Sequence, residues 1–145
     1  MSLLFSRQCE YALQAVLYLA KTPSGKMTSI KELSAKLDIP YHYLAKILQS
    51  LAIKGLLLSE KGRTGGFALR IPVEHITLAQ VIDAVDGPAI KHSCVMGFGE
   101  CSEDNPCALH NEWVHLRTGL FDVLNDKNVI QLAREMKKPV YEMLA

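Results

Sequence analysis

No apolar run in these 145 residues approaches the ~20 that a membrane-spanning helix requires, so a membrane protein is not expected. The opening, MSLLFSRQCEYALQAVLYLAK, is apolar but broken by Arg7, Gln8 and Glu10, and no basic stretch precedes it. It lacks the form of a secretory signal, and a cytoplasmic location is the expectation. Signatures of common catalysts are also missing. There is no nucleophile–base constellation, no GxxxxGK and no glycine-rich dinucleotide turn after a strand, so the chain does not read as an enzyme. Neither an internal repeat nor a low-complexity segment is found. A hydrophobic fraction of 49% with 21% charged residues is that of a globular chain rather than a disordered one.

Net charge is nearly absent as well, at +1, but it is unevenly spread. Residues 1–71 carry ten Lys/Arg against four Asp/Glu, and residues 72–145 carry six against eleven. A basic N-terminal half on a near-neutral chain is the electrostatic footprint of nucleic-acid binding. A chance excess of surface lysines would give the same sign, so the elements that carry the charge decide.

Those elements are legible. From about Ser6 to Lys21, Cys9, Ala12, Leu13, Val16, Leu17 and Ala20 recur at helical intervals, predicting an amphipathic helix ended by TPSGK. Ser29 with Glu32 three residues on reads as a capping box, opening a short helix to about Leu37. After the Asp38-Ile39 turn, Pro40 suits the first position of a further helix running to about Ile53. That helix buries Leu44, Ile47, Leu48 and Leu51, and turns Tyr41, His42, Ala45, Lys46 and Gln49 outward. Two short helices joined by a tight turn, the second polar and basic outside, make a helix-turn-helix, although any small antiparallel bundle gives a similar pattern. The next stretch favours the first reading. Leu56–Ser59 and Phe67–Arg70 read as strands around a glycine-rich hairpin, residues 60–66, with Lys61 and Arg63 at its tip. A helix-turn-helix followed at once by a basic hairpin is a winged helix.

Further on, Thr77 caps a helix over about Leu78–Val85, stopped by Asp86-Gly87-Pro88. A loop then runs from about Ala89 to Leu109. A long helix from about His110 to Leu124 repeats Trp113, Leu116, Leu120 and Val123/Leu124 at heptad-like intervals, and a last helix covers about Val129–Met136. The tail after Pro139 is expected to be poorly ordered. One winged helix reads little DNA, so the apolar stripe of the long helix is assigned to a homodimer seam that places two copies on a palindromic operator. The expected class is mainly α with a small β-wing. It divides into a winged-helix DNA-binding domain (residues 1–88), a cysteine-rich loop (89–109) and a dimerisation helix with its tail (110–145).

The loop holds Cys94, Cys101 and Cys107, with His110 just beyond. Three thiolates and an imidazole this close in sequence suit a metal or iron–sulfur site. Zinc held by three Cys and one His is a chemical rival, and so is a thiol switch working through a disulfide or a sulfenate. Buried structural cysteines are the bland alternative, against which the polar, glycine-rich surroundings argue. Cys9, on the apolar face of the first helix, reads as core rather than ligand. For DNA contact the candidates are Tyr41, His42, Tyr43, Lys46 and Gln49 on the second helix of the motif. On the wing they are Lys61, Arg63, Thr64, Gly65 and Gly66. One of Tyr41 and Tyr43 is expected to pack against the core while the other meets DNA. Ser29 and Thr28 are placed to bond phosphate, although capping alone would explain them. The wing glycines are architectural first. His92 and His115 read as surface histidines.

Taken together, SRQCEYALQAVLYLA, MTSIKELSAKLDIPYHYLAKILQSLAIKGLLLS, the wing KGRTGGFALR, ITLAQVIDAVDGP and the cysteine loop resemble the Rrf-type winged-helix regulators, which include IscR-like and NsrR-like iron–sulfur members. The resemblance runs from Phe5 to about Asp126. It implies a homodimeric transcription regulator of the repressor kind, sensing redox state, nitric oxide or iron–sulfur status through a [2Fe–2S] or [4Fe–4S] cluster on Cys94, Cys101 and Cys107. For the fourth ligand it offers two candidates: His110 as in IscR-like members, or Glu10 from the partner subunit as in NsrR-like ones. Two departures stand out. Six residues, not five, separate Cys94 from Cys101, a gap that Gly97 and Gly99 make flexible. Ala45 stands where IscR-like regulators carry an acidic residue that tunes the choice of DNA site. The alternative that the resemblance leaves open is a cluster-free or zinc/thiol-switch winged-helix repressor responding to another effector.

Overall fold

The computed structural model describes residues 4–70 and 72–137; the tail after Pro139 lies outside them. Helix α1 (Arg7–Lys21) starts at Ser6, whose hydroxyl accepts the Cys9 N–H at 3.1 Å. Its buried face is Cys9, Ala12, Ala15, Val16 and Leu19, with Leu13, Leu17 and Ala20 half-buried at its flank. The stripe is thus rotated from the expected one, because α1 is covered from three sides, by the helix pair, by α4 and by α7.

Helices α2 (Ile30–Leu37) and α3 (Tyr41–Ile53) are joined by a turn that the sequence specifies closely. Asp38 takes the left-handed conformation (φ 54°), alone among the described non-glycine residues. The Ser34 hydroxyl donates to the Ile39 carbonyl at 2.5 Å, and the Ile39 side chain is buried between the helices. Pro40 flanks α3 rather than opening its first turn. Only half of the expected capping box forms on α2. The Ser29 hydroxyl accepts the Glu32 N–H, but the Glu32 carboxylate turns to Lys26 (3.8 Å) and the Tyr18 hydroxyl (3.4 Å). Leu44, Leu48 and Leu51 of α3 are fully buried, and each such side chain contributes about 1.5–3 kcal/mol through the water it releases.

Strands β1 (Leu57–Glu60) and β2 (Gly66–Leu69) form an antiparallel hairpin with Leu57 opposite Leu69 and Glu60 opposite Gly66. Thr28 bridges to Phe67 through two backbone bonds (2.9 and 2.8 Å), so the wing is tied to the start of the helix pair. A 3₁₀ turn (Val73–His75) leads into α4 (Leu78–Asp86), which opens with a full capping box between Thr77 and Gln80 and ends at Gly87. One helical turn, α5 (Ala89–His92), stands where the sequence had suggested only loop. Helix α6 (His110–Asp126) is the longest, and α7 (Val129–Glu135) folds back onto α1. The main core lies among α1, the helix pair, the wing and α7. A second cluster of Cys9, Ala79, Ile82 and Leu124 joins α1, α4 and α6. Among the described residues no helix is long and apolar enough to cross a membrane.

Candidate DNA interface and cysteine site

The outer face of α3 carries Tyr41, His42, Lys46 and Gln49, all exposed, with Ala45 half-buried among them. Tyr41 and Tyr43 are both exposed, at 48% and 36%, which corrects the expectation that one would pack into the core. Their rings find neighbours at the surface instead. Tyr41 meets the His42 ring edge-on at 5.5 Å. Tyr43 meets Tyr11 of α1 at 5.6 Å, and the Arg7 guanidinium lies 5.9 Å from the Tyr11 ring centre. At the wing tip Lys61, Arg63 and Thr64 are exposed, and Gly65 and Gly66 are half-buried at its base. A Cβ on Gly65 would overlap the Glu60 carbonyl, and one on Gly66 the Thr28 carbonyl, so both glycines are required by the fold itself. Ser29 is exposed with its hydroxyl engaged as the α2 cap. Thr28, by contrast, is fully buried and its hydroxyl has no hydrogen-bond partner among the described residues, which takes it away from phosphate contact.

The three cysteines and His110 line a single cavity of about 470 Å³, with Met96 and Phe98 contributing an apolar wall. The loop is shaped by its backbone. Cys94 N–H donates to the Gly99 carbonyl (2.8 Å) and Gly97 N–H to the Cys94 carbonyl (3.0 Å), while Cys101 N–H reaches back to the His92 carbonyl (2.6 Å). Gly97 and Gly99 take positive φ (81° and 89°), closing the six-residue gap between Cys94 and Cys101. Cys94 is buried, contrary to what its polar neighbours suggested, because the turn folds over it. Backbone N–H groups of Phe98 and Met96, then the Cys107 thiol and Gly97, hold the Cys94 thiol below its ordinary value against the effect of burial. For Cys107 the Leu109 N–H pulls downward, but the bond to Cys94, burial and the charges of Cys94 and Cys101 together push its thiol up. His110, buried at the first turn of α6, places Nδ1 3.1 Å from the Cys101 sulfur. Glu10 sits on α1 beside Arg7 (3.8 Å) and is not among the residues lining the cavity, whereas His110 and the carboxylate residue Glu100 both line it with the thiols.

Among the described residues no three His, Cys, Asp or Glu side chains are gathered as the ligands of one metal ion. The donor set nevertheless fits an iron–sulfur group, which is larger than an ion: soft sulfurs and one imidazole facing a shared cavity. Cys9 lies apart, fully buried, and burial followed by the charge and hydrogen bond of Asp86 and the charge of Glu10 pushes its thiol up to about 12. The structure adds Met96 and Phe98 to the site, and their sequence signal is that of apolar residues flanking Gly97 in a polar loop. The sequence pattern places Trp113 only on the apolar stripe of the long helix. Its indole donates to the Ser93 carbonyl at 2.9 Å, pinning α6 to the residue before Cys94.

A helix pair with a polar, basic outer face followed by a glycine-based hairpin with a basic tip defines a winged-helix, DNA-binding transcription regulator, not an enzyme. Residues 5–135 match the Rrf2 family, described as an iron-dependent transcriptional regulator, and the chain belongs to that family. A protein of Aquifex aeolicus, named as a candidate HTH-type transcriptional regulator, is 31% identical over 142 residues, covering 96% of this chain and 97% of its own. The structure of CymR (YrzC), the global cysteine regulator of B. subtilis, superposes with a TM-score of 0.78 at 28% identity, covering 94% of this chain and all of the other. T. potens IscR superposes with a TM-score of 0.71, covering 100% of this chain and 98% of its own; at 18% identity that likeness is one of fold.

Proposed function

We propose that the protein is an iron–sulfur-sensing repressor, with Cys94, Cys101, Cys107 and His110 holding the cluster. The observation that carries this reading is the convergence of those four side chains on one cavity, in a chain whose family is described as iron-dependent. A bound cluster would supply a centre reactive toward oxidants and nitric oxide. The chain's own residues do the rest. The thiolates anchor the loop to the start of α6, Met96 and Phe98 limit water at the cavity, and His110 ties the loop to the long helix. On the DNA side, Lys46, Lys61 and Arg63 neutralise phosphates of a palindromic operator. Tyr41, His42, Tyr43 and Gln49 face base edges, and Ser29, Thr64, Gly65 and Gly66 let the backbone approach the strand. Two copies joined along α6 supply the two reading heads, in the cytoplasm. Residues 1–88, 89–109 and 110–145 then act as reader, sensor and dimeriser.

Anaerobic reconstitution with iron and sulfide tests this, followed by absorption, iron and sulfide analysis and duplex binding of loaded and stripped protein. Coloured protein whose DNA affinity changes at least tenfold on loading is expected. His110→Ala lowers the iron retained, whereas Glu10→Ala does so only if the partner's carboxylate is the fourth ligand. Colourless, iron-free protein sinks the cluster reading. That outcome favours a second reading, which the 3.1 Å Cys101–His110 contact supports: a cluster-free regulator switched through its thiols.

A further inference from the structure

One turn of α4 is bonded to three separate parts of the molecule. At Asp83, the carboxylate pairs with Lys91 of α5 at 2.6 Å, and the Lys91 ammonium also lies 5.7 Å from the Phe121 ring centre on α6. At the next residue, the Ala84 carbonyl accepts a hydrogen bond from Lys54, the C-terminal cap of the DNA-facing helix α3. Two residues on, the Asp86 carboxylate accepts the backbone N–H (3.0 Å) and the hydroxyl of Ser6, the cap of α1 and thus of the turn that carries Cys9 and Glu10. Lys91 neighbours His92, whose carbonyl holds the Cys101 N–H at 2.6 Å. The second oxygen of Asp83 is buried with no partner among the described residues, so Lys91 is the partner that orients this carboxylate.

We infer that the Asp83–Lys91 pair is the positioning element that transmits the state of the cysteine cavity to the DNA-facing helix. The chain of contacts is short and unbroken: Cys101 to His92, α5 to α4 through Lys91–Asp83, α4 to α3 through Ala84–Lys54. A movement of the loop at Cys101 displaces α5, and the ion pair makes α4 follow. Lys54 then draws on the end of α3. Both charged side chains are more than a third exposed, so the pair adds little to global stability, and its role is directional coupling rather than holding the fold. This inference rests on the reading that the state of the cysteine site alters DNA binding.

The test compares wild type with Lys91→Met, Asp83→Asn and Lys91→Arg, using a duplex that the wild type selects from a random pool. The cavity is perturbed in two independent ways, by iron and sulfide loading and by alkylating the apoprotein with N-ethylmaleimide. Emission of Trp113, the single tryptophan, reports the loop itself through its bond to Ser93. Wild type is expected to change affinity tenfold or more between states. Lys91→Met and Asp83→Asn should keep the Trp113 response and a near-normal melting temperature while the affinity ratio falls below threefold, and Lys91→Arg should restore it. A Lys91→Met protein that keeps the wild-type ratio overturns the inference. If no iron is taken up, the cluster reading fails and the alkylation arm alone decides the coupling. Equal effects there in wild type and Lys91→Met, or no effect in wild type, overturn it.

Discussion

Gly66 has φ 143° and lies so close to the Thr28 carbonyl that a Cβ would overlap it. It serves the wing by permitting the two Thr28–Phe67 backbone bonds, a role that a sequence motif alone presents only as flexibility. Replacing Gly66 with Ala is therefore expected to cost about 1–3 kcal/mol, read as a lower midpoint in urea unfolding. Cys9 illustrates the opposite extreme of environment. Its thiol is fully buried and shifted from the ordinary 9.0 to about 12 by desolvation and then by Asp86. In the native protein Cys9 should be the slowest of the four thiols to react at pH 8, and it should match the others only on unfolding. Because the folded value is raised, the stabilisation from keeping Cys9 neutral is complete below pH 9 and is lost as pH rises toward about 12. Four equally reactive thiols in the native state would contradict that placement.

At the scale of elements, α3 and the wing divide the work. The helix is held from beneath by Leu44, Leu48 and Leu51, while its outer residues make the Tyr41–His42 and Tyr43–Tyr11 ring contacts at the surface. The wing tip carries two cations on four exposed residues between β1 and β2. Lys61→Ala and Arg63→Ala should each weaken binding to every duplex similarly and lower the slope of log affinity against log salt by about one. A change in sequence preference without a change in slope would place these residues on bases instead. Substitution of Gln49 should do the reverse, altering preference more than slope.

For the molecule as a whole, α6 is the element left uncovered. Leu116 and Val123 are 65% and 59% exposed on the stripe where only Leu124 is buried against α4 and α1, so one protomer leaves much of this face to water. Leu116→Asp combined with Val123→Asp is expected to convert a dimer to a monomer in sedimentation. The same change should weaken operator binding by well over tenfold while leaving the far-ultraviolet dichroism intact. A dimer that survives both substitutions would move the seam elsewhere.

Local pattern alone was enough to read the helix-turn-helix, the hairpin and the order of the helices. Their determinants are short-range: the spacing of Leu44, Ile47, Leu48 and Leu51, the caps at Ser29 and Thr77, the glycines of the wing. The spacing of Cys94, Cys101, Cys107 and His110 likewise presents them as one candidate group, and the structure brings them to one cavity. Tertiary structure decided what depends on residues far apart in the chain. It rotated the buried face of α1, because α4 and α7 cover sides that no local pattern reveals. It buried Cys94 beneath its own loop and brought Met96 and Phe98 to the cavity wall. It also gathered Lys91, Lys54 and Ser6 onto a single turn of α4, a convergence of three distant segments that periodicity cannot encode.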